Sequence, residues 1–98
     1  MTAVVFLEEA EDEFLEAIRY YTEHSRALGV DFVTEVQRAV DFAIQLPQAA
    51  PLVRPDVHKK TLRKFPYSLL YSVEGKTVVI LAVAHQKRRP EYWVNRVK

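Results

Sequence analysis

The apolar spacing of this chain changes period once, near its middle, and that change fixes the kind of fold it can adopt. Ala10, Phe14, Ala17, Ile18 and Tyr21 recur at helical intervals, with Glu9, Asp12, Glu13, Glu16 and Glu23 over the rest of the surface. Acidic residues in the early turns suit the positive end of a helix dipole. Residues 24–29 break the pattern. A second stripe follows, Phe32, Val33, Val36, Val40, Ala43 and Ile44, and stops before Pro47, which lacks an amide donor and clashes with the preceding turn. Two helices so closely joined form an antiparallel hairpin.

Beyond a stretch punctuated by Pro47, Pro51 and Pro55, read as a loop, the period becomes two. Residues 57–65 read as a basic strand, interrupted by Pro66. Residues 67–73 and 77–84 read as a hairpin around Glu74-Gly75. That turn sets Tyr71 opposite Val78, Leu69 opposite Ile80 and Tyr67 opposite Ala82, one apolar face on which the helices sit. The other face carries Ser68, Leu70, Ser72, Val79, Leu81, Val83 and His85, too apolar for full solvation, so the C-terminal segment, a partner, or both should cover it. Val4–Leu7 reads as an N-terminal strand, placed on this reading beside the last long one. The expected fold is α+β: an N-terminal strand and an antiparallel helical hairpin packed on a three- to four-stranded antiparallel sheet, with a basic C-terminal tail. Its 98 residues suffice for a single domain, 1–98.

Charge divides at the same place. Residues 1–53 hold three Lys/Arg against ten Asp/Glu, a formal −7; residues 54–98 hold eleven against three, a formal +8. Such asymmetry points to an acidic or polyanionic partner for one face. The absence of cysteine excludes disulfides and thiolate metal sites. Three separated histidines, His24, His58 and His85, have no ligand spacing, so no metal or other cofactor is expected. Two glycines cannot build a phosphate loop, and there is no G-x-S-x-G elbow. The longest apolar run, Val78 to Ala84, has seven residues against the ~20 of a membrane span. With no basic segment ahead of an apolar one at the N-terminus, the expectation is a cytoplasmic protein without a membrane association.

The constellation able to carry function is cationic. Lys59, Lys60, Arg63 and Lys64 lie along the first meander strand, and His85, Lys87, Arg88 and Arg89 follow the last, with Tyr67, Tyr92 and Trp93 interleaved. Cations neutralise phosphates and aromatic faces stack on unpaired bases, which suits single-stranded or looped RNA better than a duplex. Tyr67 and Tyr71 read as core, and Trp93 equally as an anchor pinning the tail. His85, where apolar strand gives way to charge, is a candidate general acid or base or a hydrogen-bonder that orients the tail.

The stretch Leu62-Arg63-Lys64-Phe65-Pro66-Tyr67-Ser68-Leu69-Leu70-Tyr71, and the strand 78–84 leading into His85-Gln86-Lys87-Arg88, resemble the RelE/ParE toxin superfamily of bacterial type II toxin–antitoxin modules. The F-P-Y-x-x-x-Y hairpin and the terminal H-x-x-R-x-P-x-Y-W block resemble its ParE-like, plasmid stabilisation branch. The resemblance implies a growth-inhibiting toxin neutralised by a cognate antitoxin, and it is compatible with a toxin–antitoxin hetero-oligomer. ParE-like members poison DNA gyrase; RelE-like members cleave mRNA on the ribosome without a metal. Carried over residue by residue, the ribonuclease alternative would use Lys59, Arg88 and Tyr92, with His85 as a further acid–base group. Thr61 and Ser68 stand where that alternative expects a lysine and an arginine. The nucleic-acid or target-binding set is then Lys59, Lys60, Arg63, Lys64, Lys87, Arg89 and Trp93. A third possibility is an antitoxin-binding module that has lost toxicity. An acidic antitoxin segment is expected along Leu70, Val79, Leu81 and the basic rim, or along the helical hairpin.

Overall fold

The computed structural model describes residues 2–97. In chain order it contains β1 (Ala3–Phe6), α1 (Glu8–His24), α2 (Arg26–Gln45), β2 (Leu52–Arg54), β3 (Val57–Thr61), β4 (Tyr67–Glu74), β5 (Thr77–His85) and a 3-10 turn (Val94–Arg96). The strands form one sheet in the order β1-β5-β4-β3-β2. The α+β class is as expected, and β1 does pair with β5. That pairing is parallel, so the sheet is mixed rather than wholly antiparallel, and β2 raises it to five strands. Parallel neighbours need a long connection, here the helical hairpin and the meander together.

The helices pivot on one residue. The Ser25 N–H donates to the Tyr21 carbonyl and closes α1, while its hydroxyl accepts from the Leu28 N–H at 3.4 Å and caps α2. The break in periodicity over 24–29 therefore shrinks to a single residue. Gly29 lies where the two helices touch. A Cβ there would stand 2.1 Å from Thr22 Oγ1 and 3.2 Å from Thr22 Cα.

Past α2 the chain is pinned by the sheet. The Tyr71 hydroxyl donates to the Pro47 carbonyl at 2.8 Å. His58, 5 % exposed, gives a hydrogen bond from Nδ1 to the Ala50 carbonyl at 2.8 Å and stacks on the Tyr71 ring. A carbonyl can only accept, so Nδ1 carries the proton.

Three expectations for the meander change. β3 ends at Thr61, because Leu62 and Phe65 turn into the core and Pro66 has no N–H to extend the ladder. Arg63 and Lys64 therefore sit in the β3–β4 turn, with Lys64 at φ +68°. The hairpin turn is Gly75-Lys76, with Glu74 facing Thr77. Gly75 at φ +62° takes the first loop position, where positive φ is needed and a side chain is strained. That slide of two residues leaves each side chain on its face. A bulge at Leu81 then inverts the later part of β5: Tyr71 faces Ile80, but Leu70 faces Ala82 and Leu69 faces Val83. Val83 joins the helix-side core with Ala10, Ala17, Leu69 and Ile80, and Ala82 moves to the outer face.

The outer face is covered by the chain's own tail. Trp93, 5 % exposed, lies with Val57, Leu70, Val79, Leu81 and Ala82, and Tyr92, Val94 and Val97 pack around them. Among the described residues no helix is long and apolar enough to cross a membrane.

The contact at Gly29 gives a direct test of the helix pairing. Gly29→Ala should lower unfolding stability by about 1–3 kcal/mol in urea titration, because the added methyl meets Thr22 backbone as well as its flexible hydroxyl. An unchanged or raised midpoint would mean that the helices do not approach as described.

Candidate macromolecule-binding cleft

β5 delivers the chain into the tail at His85. The Lys87 N–H donates to His85 Nδ1 at 3.0 Å, and the Arg88 N–H donates to the His85 carbonyl at 3.0 Å. With Nδ1 accepting, the neutral ring carries its proton on Nε2. His85 therefore shapes the turn that starts the tail, while its ring stands edge-on to Tyr67.

One carboxylate fixes where that tail goes. Glu13 Oε2 accepts from the Tyr92 hydroxyl at 2.6 Å, and the Arg96 guanidinium grips both Glu13 oxygens at 3.0 and 3.1 Å. The Glu13–Arg96 pair also serves the backbone of the bulged strand. Val83 N–H donates to Glu13 Oε1, and the Leu81 carbonyl accepts from Arg96, both at 3.0 Å. β1 makes its last pair with Ile80, so past that point a side-chain ion pair stands in for a neighbouring strand. Burial and the bond to Glu13 push the Tyr92 phenol well above the usual tyrosine range.

The tail and sheet together enclose a cleft of about 250 Å³. Leu70 and Ala84 contribute apolar lining, Lys59, Arg88 and Arg89 bring the charge, and the His85 ring lies among them. The Arg88 guanidinium lies over the Tyr92 ring at 4.0 Å, so the ring is already occupied by a cation. Glu91, the one acidic residue lining the cleft, is paired with Arg54 at 3.0 Å. Across the ridge formed by His85, Arg88 and Tyr92 lies a second cleft of about 230 Å³, lined by Glu13, Glu16, Tyr20 and Tyr67.

Of the residues singled out in the sequence, Lys59, His85, Arg88, Arg89, Tyr92 and Trp93 meet in the first cleft. Lys60 points the other way, its ammonium 4.2 Å from the centre of the Phe42 ring, as alternation along a strand requires. Arg63 and Lys64 lie outside the cleft in their turn, and Lys87 is exposed beside it. Trp93 is buried as an anchor, so it offers no open face to a base. On the outer-face route expected for an antitoxin, the tail packs over Leu70, while Val79 and Leu81 still line a cleft of about 520 Å³ with Val5, Leu7 and Val97. Sequence reasoning missed Glu13 and Arg96. The signal for Glu13 was present: it stands three residues after Ala10 and four before Ala17, on the buried stripe rather than the wet one. Arg96 carried no such signal. Among the described residues, no three His, Asp or Glu side chains gather as metal ligands.

The position of the phenol sets a pH dependence. A group whose folded pKa is raised contributes stability that is complete below its unfolded value, near ~10, and is lost as pH rises toward the folded one. Tyr92→Phe should cost about 1.5–3 kcal/mol at neutral pH, the usual range for a hydrogen bond to a charged group. It should also lose less stability than the native chain above pH ~10. Parallel alkaline unfolding curves would rule out this role; some slope remains in both, because burial also raises Tyr21, Tyr67 and Tyr71.

Comparison with known proteins agrees with this architecture. Residues 4–90 match the family model described as the ParE toxin of the type II toxin–antitoxin system parDE. No curated protein sequence matches the chain. Among solved structures, one described as the chromosomal ParDE TA system from P. aeruginosa is similar in fold, with a TM-score of 0.73 at 22% identity, covering 87% of this chain and 96% of that one. The match of the family model over most of its length places the chain in the ParE toxin family of type II toxin–antitoxin systems.

Proposed function

We propose that this chain is a growth-inhibiting toxin that acts by gripping an essential macromolecule, with DNA gyrase as the target, and that a cognate antitoxin in the same cytoplasm neutralises it. One observation carries the choice of binding over cleavage: the Tyr92 hydroxyl, the candidate proton donor for a leaving oxygen, is committed to Glu13 at 2.6 Å. A phenol held so far above its usual range is a poor proton donor at neutral pH. Ser68, at the position where a ribonuclease of this superfamily expects an arginine, is 7 % exposed and brings no charge to a phosphate. Such a charge often contributes several kcal/mol to a transition state. What remains is a cationic cleft with an apolar floor, chemistry that suits recognition.

The ribonuclease alternative retains one supporting feature, the convergence of Lys59, His85 and Arg88 on one cleft. The two readings part in a direct experiment. Purified protein added to a gyrase supercoiling reaction should block it, and Arg88→Ala should weaken the block by about tenfold or more. The same protein added to a translating extract should leave mRNA uncut. Cuts at codon positions that disappear in His85→Ala would overturn the binding reading.

A further inference from the structure

The tail leaves a second part of the outer face uncovered. Toward the β4–β5 turn, the cleft of about 520 Å³ is floored by Val79 and Leu81 and walled by Val5, Leu7 and Val97. Val5 is 48 % exposed on β1, the strand at one edge of the sheet. A half-exposed valine beside an apolar floor gains from being covered.

The charge around this cleft is opposite in sign to that of the cleft at Arg88. Asp56, in the β2–β3 turn, and Glu74, at the end of β4, are the carboxylates that line it. Both are exposed, and neither has an ion-pair partner among the described residues. Among the described residues Arg96 is the only cation lining the cleft, and its guanidinium is committed to Glu13 and to the Leu81 carbonyl. Arg54, close to Asp56 in sequence, is turned to Glu91. The floor is therefore apolar and the rim carries net negative charge.

We propose that this cleft seats a short amphipathic helix of a partner protein, aliphatic on the face laid against Val5 and Val79 and rich in Lys or Arg beside that face. The inference goes beyond the toxin reading and does not depend on which macromolecule the cationic cleft grips. Its lining comes from β1, β5 and β4, so the floor spans two strand spacings, about 10 Å. That is the width of a helix, whereas an added strand would lie outside β1 and would not reach Glu74. A stripe at helical spacing covers Val5, Val79 and Leu81, and cations on its flanks meet Asp56 and Glu74. An acidic segment, expected over Val79 and Leu81 from the sequence, would set carboxylate against carboxylate here. Nucleic acid and anionic lipid are disfavoured for the same reason.

The test uses the full chain and a synthetic peptide of about twelve residues, with leucine at helical spacing and lysine on either side. Amide chemical shifts should move at Val5, Thr77, Val79 and Val97, and the peptide should gain helical circular dichroism as it binds. Replacing its lysines by glutamates should weaken binding at least about tenfold at low salt, and replacing its leucines by serines should abolish it. Added salt should weaken the lysine peptide. In the protein, Asp56→Lys combined with Glu74→Lys should weaken binding by about tenfold and Val5→Ser by severalfold, with the fold unchanged because all three positions are exposed. The charge swap in the peptide leaves the protein native, so it reads the cleft even where a variant fails to fold. Equal binding of the glutamate peptide, or shifts confined to Lys59 and Arg88 or to the helical hairpin, would overturn the proposal. So would shifts at Val5 and Val97 that grow with protein concentration in the absence of peptide, which would assign the cleft to a second copy of the chain.

Discussion

The carboxylate of Glu13 receives hydrogen bonds from three residues that lie 70 to 83 positions away in sequence: Val83 of the bulged strand through its N–H, Tyr92 through its hydroxyl, and Arg96 through its guanidinium. Both members of the Glu13–Arg96 pair are about 15 % exposed, which makes the pair costly to desolvate and costly to break. Its net worth against an apolar substitute is small by that logic. What it supplies is direction. An apolar tail could lie on the sheet in several registers, whereas a forked pair with a fixed acceptor at Leu81 and a fixed donor at Val83 admits one.

From that register the rest follows. Trp93 reaches the outer face only because Tyr92 and Arg96 on either side are tied to α1. Burying an indole of this kind is worth about 3–5 kcal/mol when it is truncated, so the tail is a structural layer as well as the wall of a cleft. The bulge at Leu81 belongs to the same arrangement. It turns Val83 into the helix-side core and leaves its N–H to the helix carboxylate. Sheet, helix and tail therefore meet at one polar knot, and the cationic cleft opens just beyond it.

Much of the fold was legible because periodicity survives in the structure. The two helical stripes, the proline stop at Pro47, the parity of β4 and β5 up to the bulge, and the pairing of the first strand with the last all reflect where apolar side chains must go. What alternation could not show was a change in its own phase. A bulge inserts one residue with no sequence mark, and it alone moved Ala82 and Val83 between faces. β2 escaped for a similar reason, since three residues between prolines carry no period. The site was half legible. Types of residue pointed to a basic region, but only strand alternation sorts Lys59 into the cleft and Lys60 onto Phe42. A hydroxyl with the right chemistry in sequence became a hydrogen-bond donor to Glu13, because a buried carboxylate requires donors and the tail supplied two.

Coupling between the knot and the cleft limits how the cleft can be dissected. Removing Trp93 or Arg96 would free the tail, and loss of function would then report unfolding of the wall rather than loss of a contact. Arg88 and Lys59 are different. Both are exposed and unpaired among the described residues, so removing either takes charge from the cleft and little from the core. The segregation of charge along the chain has the same physical sense. The acidic residues of the N-terminal half are spent chiefly on the solvated helical hairpin, with Glu13 and Glu35 as the exceptions that turn inward. The basic residues that line the cleft therefore face it without a neutralising neighbour, and attraction to an anionic partner falls on the region where the start of the tail leaves the sheet open.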